Sequence, residues 1–412
     1  MVAASMGLSI ALISIAKFFL MICAIVALLM TKNTKDASQS IATRYTPALV
    51  LVSLSVMALS LLWTVAPAAD ALGSLAKYGK LLTLILLMVL IRNRREAICA
   101  LGWFVGAQLF LVISSWALFV HLPVPWATSN MALTEYAVFS SYLDQGIMGS
   151  VLAAICWHLR HLAPGQFGKQ LAAAVAVVAV SNVLFVLSGR SGHVVAIALL
   201  SFAITWQLPR RYRAAIVLLP FLLAMALFFS SAKVRSRLTM VNNEVQSYSS
   251  QEQSNTSSGI RLGLWRNAIQ MIAEHPFAGS GVGSWSTEYN RLQRVQNPAH
   301  KDIDGNGNPH QEYLQWGVQL GLPGIALFLA LLLCVMRDTL EMDKAVARAA
   351  QSTLVALCVA CLFNSSLYDA MIGDFFCVAL GLLLALGTHP ETQEQALAKP
   401  ATGKAANNGQ LA

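Results

Sequence analysis

Eleven stretches of about 17 to 25 mostly apolar residues, each closed by polar breaks, constrain this chain more than any other feature. They lie near residues 8–30, 47–64, 74–91, 98–120, 142–159, 170–188, 193–208, 214–231, 312–336, 349–367 and 371–388. Inside a bilayer every backbone N–H and C=O needs a partner, which only helices and closed barrels supply. Runs of this length read as helices, so the expected fold is an all-α, polytopic transmembrane bundle. Composition agrees, with 57% hydrophobic and 11% charged residues and a mean hydropathy of +0.62. A soluble globular protein, which carries about 25% charged residues, is excluded.

The net charge of +9 is a topology signal here rather than a sign of nucleic acid, which is not an expected partner. Lys32, Lys35 and Arg44, then Arg92, Arg94 and Arg95, then Arg160 and Lys169, then Arg210, Arg211 and Arg213, and finally Arg337, Lys344 and Arg348 occupy alternate loops. Those loops are expected in the cytoplasm, together with Lys399 and Lys404 of the tail. Short loops at Ala66 to Gly73 and His121 to Thr134 carry no Lys or Arg and are expected outside. Lys17 interrupts the first apolar run, which reads as one span with a snorkelling lysine or as two short spans. No cleavable signal peptide is expected. The seven cysteines lie in or beside apolar runs, where small packing residues are the expectation, including for the Cys358-x-x-Cys361 pair.

One polar stretch, about Ser231 to His310, is too long to be a connector and is the natural place for function. The chain thus divides into transmembrane helices at 1–230, an outer loop region at 231–310, further transmembrane helices at 311–388, and a cytoplasmic tail at 389–412 expected to be disordered. In the loop, the Ser, Gln and Asn richness of Gln246 to Gly259 predicts mobility. Apolar spacing of Ile260, Leu264, Ile269 and Ile272 predicts a helix over Ile260 to Ala273. Gly279-Ser280-Gly281-Val282-Gly283 reads as a tight turn.

Three positions carry candidate chemistry. Arg190, in Ser188-Gly189-Arg190-Ser191-Gly192, stands at the outer mouth of two spans, where small neighbours admit a ligand and a guanidinium suits phosphate. Arg261 opens the loop helix, one turn before the interfacial Trp265. His310, in Asn308-Pro309-His310-Gln311-Glu312-Tyr313, is expected in the first helical turn, with Asn308 as N-cap and Pro309 at the first helical position. That turn suits anions, and a neutral histidine beside phosphate-binding arginines is a general base. Arg266, Lys77, Lys80 and Asp369 are secondary candidates, Asp369 to orient His310, pair an arginine or cap a helix. Asp302 to Asn308 resembles half a calcium loop but has Tyr313 where the closing glutamate belongs, so no metal is expected.

In their order, the Ser-Gly-Arg-Ser-Gly motif, Arg261-x-x-x-Trp265 before the Pro276 to Gly283 turn, and Asn-Pro-His-Gln-Glu-Tyr opening a span resemble the O-antigen ligase and polymerase superfamily. Among its members the chain looks most like bacterial O-antigen ligases. The resemblance implies a GT-C-like, inverting, metal-independent glycosyltransferase of the bacterial inner membrane, with its active site on the periplasmic side and no cofactor. Its donor would be O-antigen on undecaprenyl diphosphate, its acceptor a sugar hydroxyl of the lipid A core oligosaccharide, and its surroundings membrane lipids. Carried over by motif, Arg190 and Arg261 would hold the diphosphate and His310 would activate the hydroxyl. The family has twelve spans with both ends inside, so residues 1–30 would be a hairpin or the chain would start late. Within the superfamily an O-antigen polymerase or a protein O-oligosaccharyltransferase is the alternative. From another class, a lipid-linked glycan flippase or transporter would show mid-membrane charges or repeated broken helices, and no repeat is visible.

Overall fold

The structure, a computed structural model, describes residues 1–7, 9–30, 44–209, 211–212, 218–230, 257–296, 301–302 and 307–389. Among these there are helices and loops and no strand, and the protein is an all-α polytopic bundle. After a short helix α1 (Val2–Ser5) come α2 (Ile10–Met30), α3 (Tyr45–Leu59), α4 (Ala68–Tyr78), α5 (Leu82–Leu90), α6 (Arg94–Phe119), α7 (Tyr142–Leu159), α8 (Gly165–Ser181), α9 (Arg190–Thr205) and α10 (Leu219–Ser230). Two loop helices follow, α11 (Ser257–Glu274) and α12 (Trp285–Gln296), and then α13 (Glu312–Thr339), α14 (Lys344–Phe363) and α15 (Ala370–Thr388). Each of the eleven expected spans meets a helix, with α4 and α5 joined through a tight turn into one. Among the described residues, seven helical segments are long and apolar enough by themselves to cross a bilayer.

Helix α7 carries Asp144, Gln145 and His158, yet nearly all of it is buried, because α6, α8, α9 and α14 surround it. Its polar groups meet protein rather than lipid. At the crossing with α9, a Cβ on Gly192 would stand 2.9 Å from the Cα of Gly146, so only glycine lets the two backbones approach this closely. Apart from Asp374, helix α15 is apolar on all sides, and it is buried at every residue from Met371 to Gly387, as a helix inside a bundle must be. By contrast Phe18, Phe19, Phe221 and Met225 are exposed on α2 and α10, as lipid-facing side chains are.

Lys17 does not snorkel, and residues 10–30 form one helix rather than two short ones. Its ammonium lies 2.8 Å from both carboxylate oxygens of Asp374 on α15. Ahead of it α1 packs against α6, where Gln108 donates to the Met6 carbonyl at 2.8 Å.

The basic turns gather at one end of the bundle. There Arg44 donates to the Asp338 carbonyl, Arg94 to the His389 carbonyl, and Arg337 pairs with Glu341. The opposite end, the loop face, carries α11 and α12. Ala268, Met271 and Ile272 of α11 pack with Trp285 and Leu292 of α12 on Val318 of α13. The expected helix is present, but Ile260 and Ile269 are exposed. The buried stripe runs through Leu264, Ala268, Met271 and Ile272, a helical face in which small Ala268 stands where the bulkier Ile269 suggested itself. Ser257, Ser258 and Gly259 belong to α11, while 246–256 and the tail from 390 lie outside the described residues.

The glycine turn is the bolt between loop and bundle. Helix α13 kinks at Gly321 (φ 70°), two residues before Pro323. Pro323 has no N–H and the Leu322 N–H goes to the Pro276 carbonyl, which would leave the Val318 and Gln319 carbonyls without helical partners. The N–H groups of Ser280 and Gly281 take them, both at 2.9 Å. Gly279, Gly281 and Gly283 all have positive φ, and a Cβ on Gly281 would run into the Thr64 backbone. Gly281→Ala is therefore expected to lower stability by about 2 to 4 kcal/mol, from the left-handed backbone and the overlap together. Thermal unfolding in detergent checks this, and an unchanged midpoint would show that the turn is not a fixed contact.

Candidate functional site

His310 is not in the helix. Helix α13 starts at Glu312, and its cap is Gln311, whose side chain accepts from the Leu314 N–H at 2.6 Å. Asn308 instead accepts the His310 N–H at 2.9 Å through its own side chain. This local Asx turn competes with capping, leaves His310 at φ 53°, and brings its ring off the helix end.

The ring meets a second turn of the loop face, between α14 and α15. His310 Nδ1 lies 3.1 Å from Asn364 Oδ1, Asn364 Nδ2 donates to Asp369 Oδ2 at 2.9 Å, and Asn308 Nδ2 donates to Asp369 Oδ1 at 3.2 Å. The bonding pattern settles the orientations. An ionised carboxylate only accepts, so both asparagines turn their amide N–H groups to Asp369 and their oxygens to His310. Facing Asn364 Oδ1, imidazole Nδ1 is the donor, so in a neutral ring the lone pair lies on Nε2. Asp369 thus orients His310 through two amides, and as the N-cap residue of α15 it makes no side-chain cap bond.

Cations stand around that carboxylate. Burial pushes the Asp369 carboxyl above its ordinary range, while His310, Lys80, the Asn364 amide and Lys77 all pull it back down. Lys80 is buried and donates to the carbonyls of Asp369 (2.5 Å) and Tyr368 (3.3 Å). It therefore acts on the site through its field and its hold on the turn. Half-buried Lys77 lies 4.1 Å from the centre of the Tyr368 ring, and the Tyr368 hydroxyl shares a 2.8 Å hydrogen bond with Ser74.

Arg190 is the first residue of α9, after a single π turn at Asn182–Val186. Gly189 packs so tightly on α7 that an added Cβ would be 3.1 Å from the Tyr142 carbonyl oxygen. Two residues on, Asp144 is close enough to feel the charge of Asp369. The start of α9, the start of α7 and the 364–369 turn are therefore neighbours. Arg261 is half-buried one turn into α11, and its link to the site runs through the packing of α11 on α13. Arg266 is exposed.

The structure thus brings His310, Lys77, Lys80 and Asp369 together, sets Arg190 beside the neighbouring Asp144 turn, and reaches Arg261 through a docked helix. Asn364, Asn308 as a relay, and Asp144 escaped the sequence reading. The polar Asn364-Ser365-Ser366 turn was a visible signal, but its partner 54 residues earlier was not. Asp302 pairs with Arg294, and among the described residues no three His, Cys, Asp or Glu side chains cluster as metal ligands would.

Residues 174–329 match the family described as O-antigen ligase. That stretch contains Arg190, Arg261 and His310, whereas Lys77, Lys80, Asn364 and Asp369 lie beyond it. An uncharacterized protein of Haemophilus influenzae is 30% identical over 103 residues, which is 25% of this chain and 25% of that protein.

Proposed function

From the premise that residues 174–329 form an O-antigen ligase family segment, we propose that this chain is a GT-C-like glycosyltransferase of the bacterial inner membrane. It transfers O-antigen glycan from undecaprenyl diphosphate to a sugar hydroxyl of the lipid A core, on the periplasmic side. The loop face is that side, because the basic turns collect at the other end of the bundle.

The observation that carries this reading is the Asp369–Asn364–His310 chain, which leaves Nε2 as a base among cations. Nε2 takes the proton of the acceptor hydroxyl as its oxygen attacks the anomeric carbon from the face opposite the diphosphate. The bond from that carbon to the diphosphate oxygen breaks, and the configuration inverts. Arg190 and Arg261 hold the diphosphate, and together with the field of Lys77 and Lys80 they stabilise the charge that grows on it. These cations do the work a metal ion does elsewhere, so the reaction is metal-independent.

The test is a defined assay with purified protein, undecaprenyl-diphosphate glycan and lipid A core in the presence of chelator. Glycan on the core is the expected product. Growth of the lipid-linked glycan without core modification would make the protein a polymerase, glycosylated protein would make it an O-oligosaccharyltransferase, and glycan translocation without transfer would make it a transporter. Arg190→Lys keeps the charge but loses the two-pronged geometry, so kcat/KM for the donor is expected to fall about 10- to 100-fold. An unchanged kcat/KM would remove Arg190 from the diphosphate.

A further inference from the structure

Glu312 is a buried carboxylate only two residues after His310, and it has no place in the chemistry above. Four donors from three elements converge on it. Oε2 accepts the backbone N–H of Leu367 (2.9 Å) and of Tyr368 (3.1 Å), in the turn between α14 and α15. Oε1 accepts the Trp316 indole N–H (3.0 Å) from its own helix and the Tyr78 hydroxyl (3.3 Å) from α4. The Tyr78 oxygen in turn receives Gln319 Nε2 at 3.5 Å.

Only an acceptor-only carboxylate satisfies four inward donors. A glutamine of the same shape would point its amide N–H groups at two of them. The two backbone groups that Glu312 holds lie between Asn364 and Asp369, the residues that orient the His310 ring. His310 itself stands two residues before Glu312, the first residue of α13. One side chain therefore sets the distance between the histidine and the turn that selects its tautomer.

We infer that Glu312 is a positioning residue: it pins the 364–369 turn to the start of α13 and so keeps His310 in the tautomer with Nδ1 protonated and Nε2 free. The inference rests on the base role of His310 for its catalytic meaning, but its structural content can be tested without any turnover. In water a neutral histidine prefers the opposite tautomer, with the proton on Nε2, so release of the turn has a spectroscopic signature.

The experiment uses the full chain in nanodiscs with 15N-labelled histidine at mildly alkaline pH, and His310 is assigned by its loss in His310→Ala. In the wild type the ring is expected to be mainly Nδ1-protonated. In Glu312→Gln, and in Glu312→Asp, which keeps the charge but is one methylene too short, the Nε2-protonated form should become the major species. Asn364→Ala should do the same. In the transfer assay kcat of Glu312→Gln should fall about 10- to 100-fold, with the KM for donor within twofold. Combined with Asn364→Ala it should add little further loss, because both changes break one connection.

An unchanged tautomer in both Glu312 variants overturns the inference, and so does a loss that multiplies fully with Asn364→Ala. Should Glu312→Gln not fold, Glu312→Asp carries the same test. A wild-type Nδ1–H signal that shifts in these variants, in a protein that shows no glycan transfer, would sustain the inference while rejecting the proposed function.

Discussion

His310→Ala is expected to slow glycan transfer by a factor of about 10² to 10⁴, the usual worth of a positioned general base. Donor binding should stay within about twofold, because the diphosphate contacts are assigned to the arginines. The effect should fall on kcat rather than KM. The geometry predicts a graded series around it. Asn364→Ala removes the acceptor of Nδ1–H and leaves the ring free to take the wrong tautomer. Asp369→Asn removes the charge and puts an amide N–H group against that of either Asn308 or Asn364. Both should be slower than wild type and faster than His310→Ala. Single-turnover rates with undecaprenyl-diphosphate glycan and lipid A core, measured beside a donor-binding titration, check the order. Undiminished transfer by His310→Ala would exclude the base, and equal losses in kcat and binding would make His310 a binding group.

The second large effect concerns stability. The Asp374 side chain is 6% exposed and its partner Lys17 27%, and Lys80 is close enough to feel the same carboxylate. Asp374→Ala should therefore cost about 3 to 5 kcal/mol, because it leaves an ammonium buried without its counter-charge. Lys17→Met should cost less, since Asp374 keeps the field of Lys80. The double variant Lys17→Met, Asp374→Leu should recover part of the loss, because replacing both members of a buried pair by apolar groups of similar size restores packing without a stranded charge. Unfolding free energies in micelles, by steric trapping, measure all three. Equal costs for the two single changes would mean that Lys80 does not share the carboxylate.

Local properties were legible without coordinates. A helix in lipid satisfies its own backbone, so run length alone locates it, and every expected span has a helix in the structure. A turn with three glycines announces positive φ, which Gly279, Gly281 and Gly283 adopt. Even the loop helix was visible, although its buried face was misjudged by one residue, because apolarity ranks Ile269 above Ala268 while packing on α13 favours the smaller side chain. At His310 two local signals competed. Asn308 can cap a helix or close its own turn, and nothing in the string Asn-Pro-His-Gln ranks these outcomes; contact with the 364–369 turn accompanies the second.

Pairing at a distance was not legible. Lys17 and Asp374 are 357 residues apart, and Lys17 read as an isolated charge in an apolar run. Glu312 drew no reading of its own in the sequence, yet its four donors come from α4, α13 and the turn before α15. The amino-acid order alone determined an all-helical membrane bundle, the alternation of its basic loops, and the residue types capable of phosphate and proton chemistry. Only the tertiary structure decided which carboxylate meets which cation and which ring nitrogen is free. The reason is physical: a span depends on the summed transfer free energy of neighbouring residues, whereas a tautomer depends on one hydrogen bond whose partner arrives through the packing of other helices.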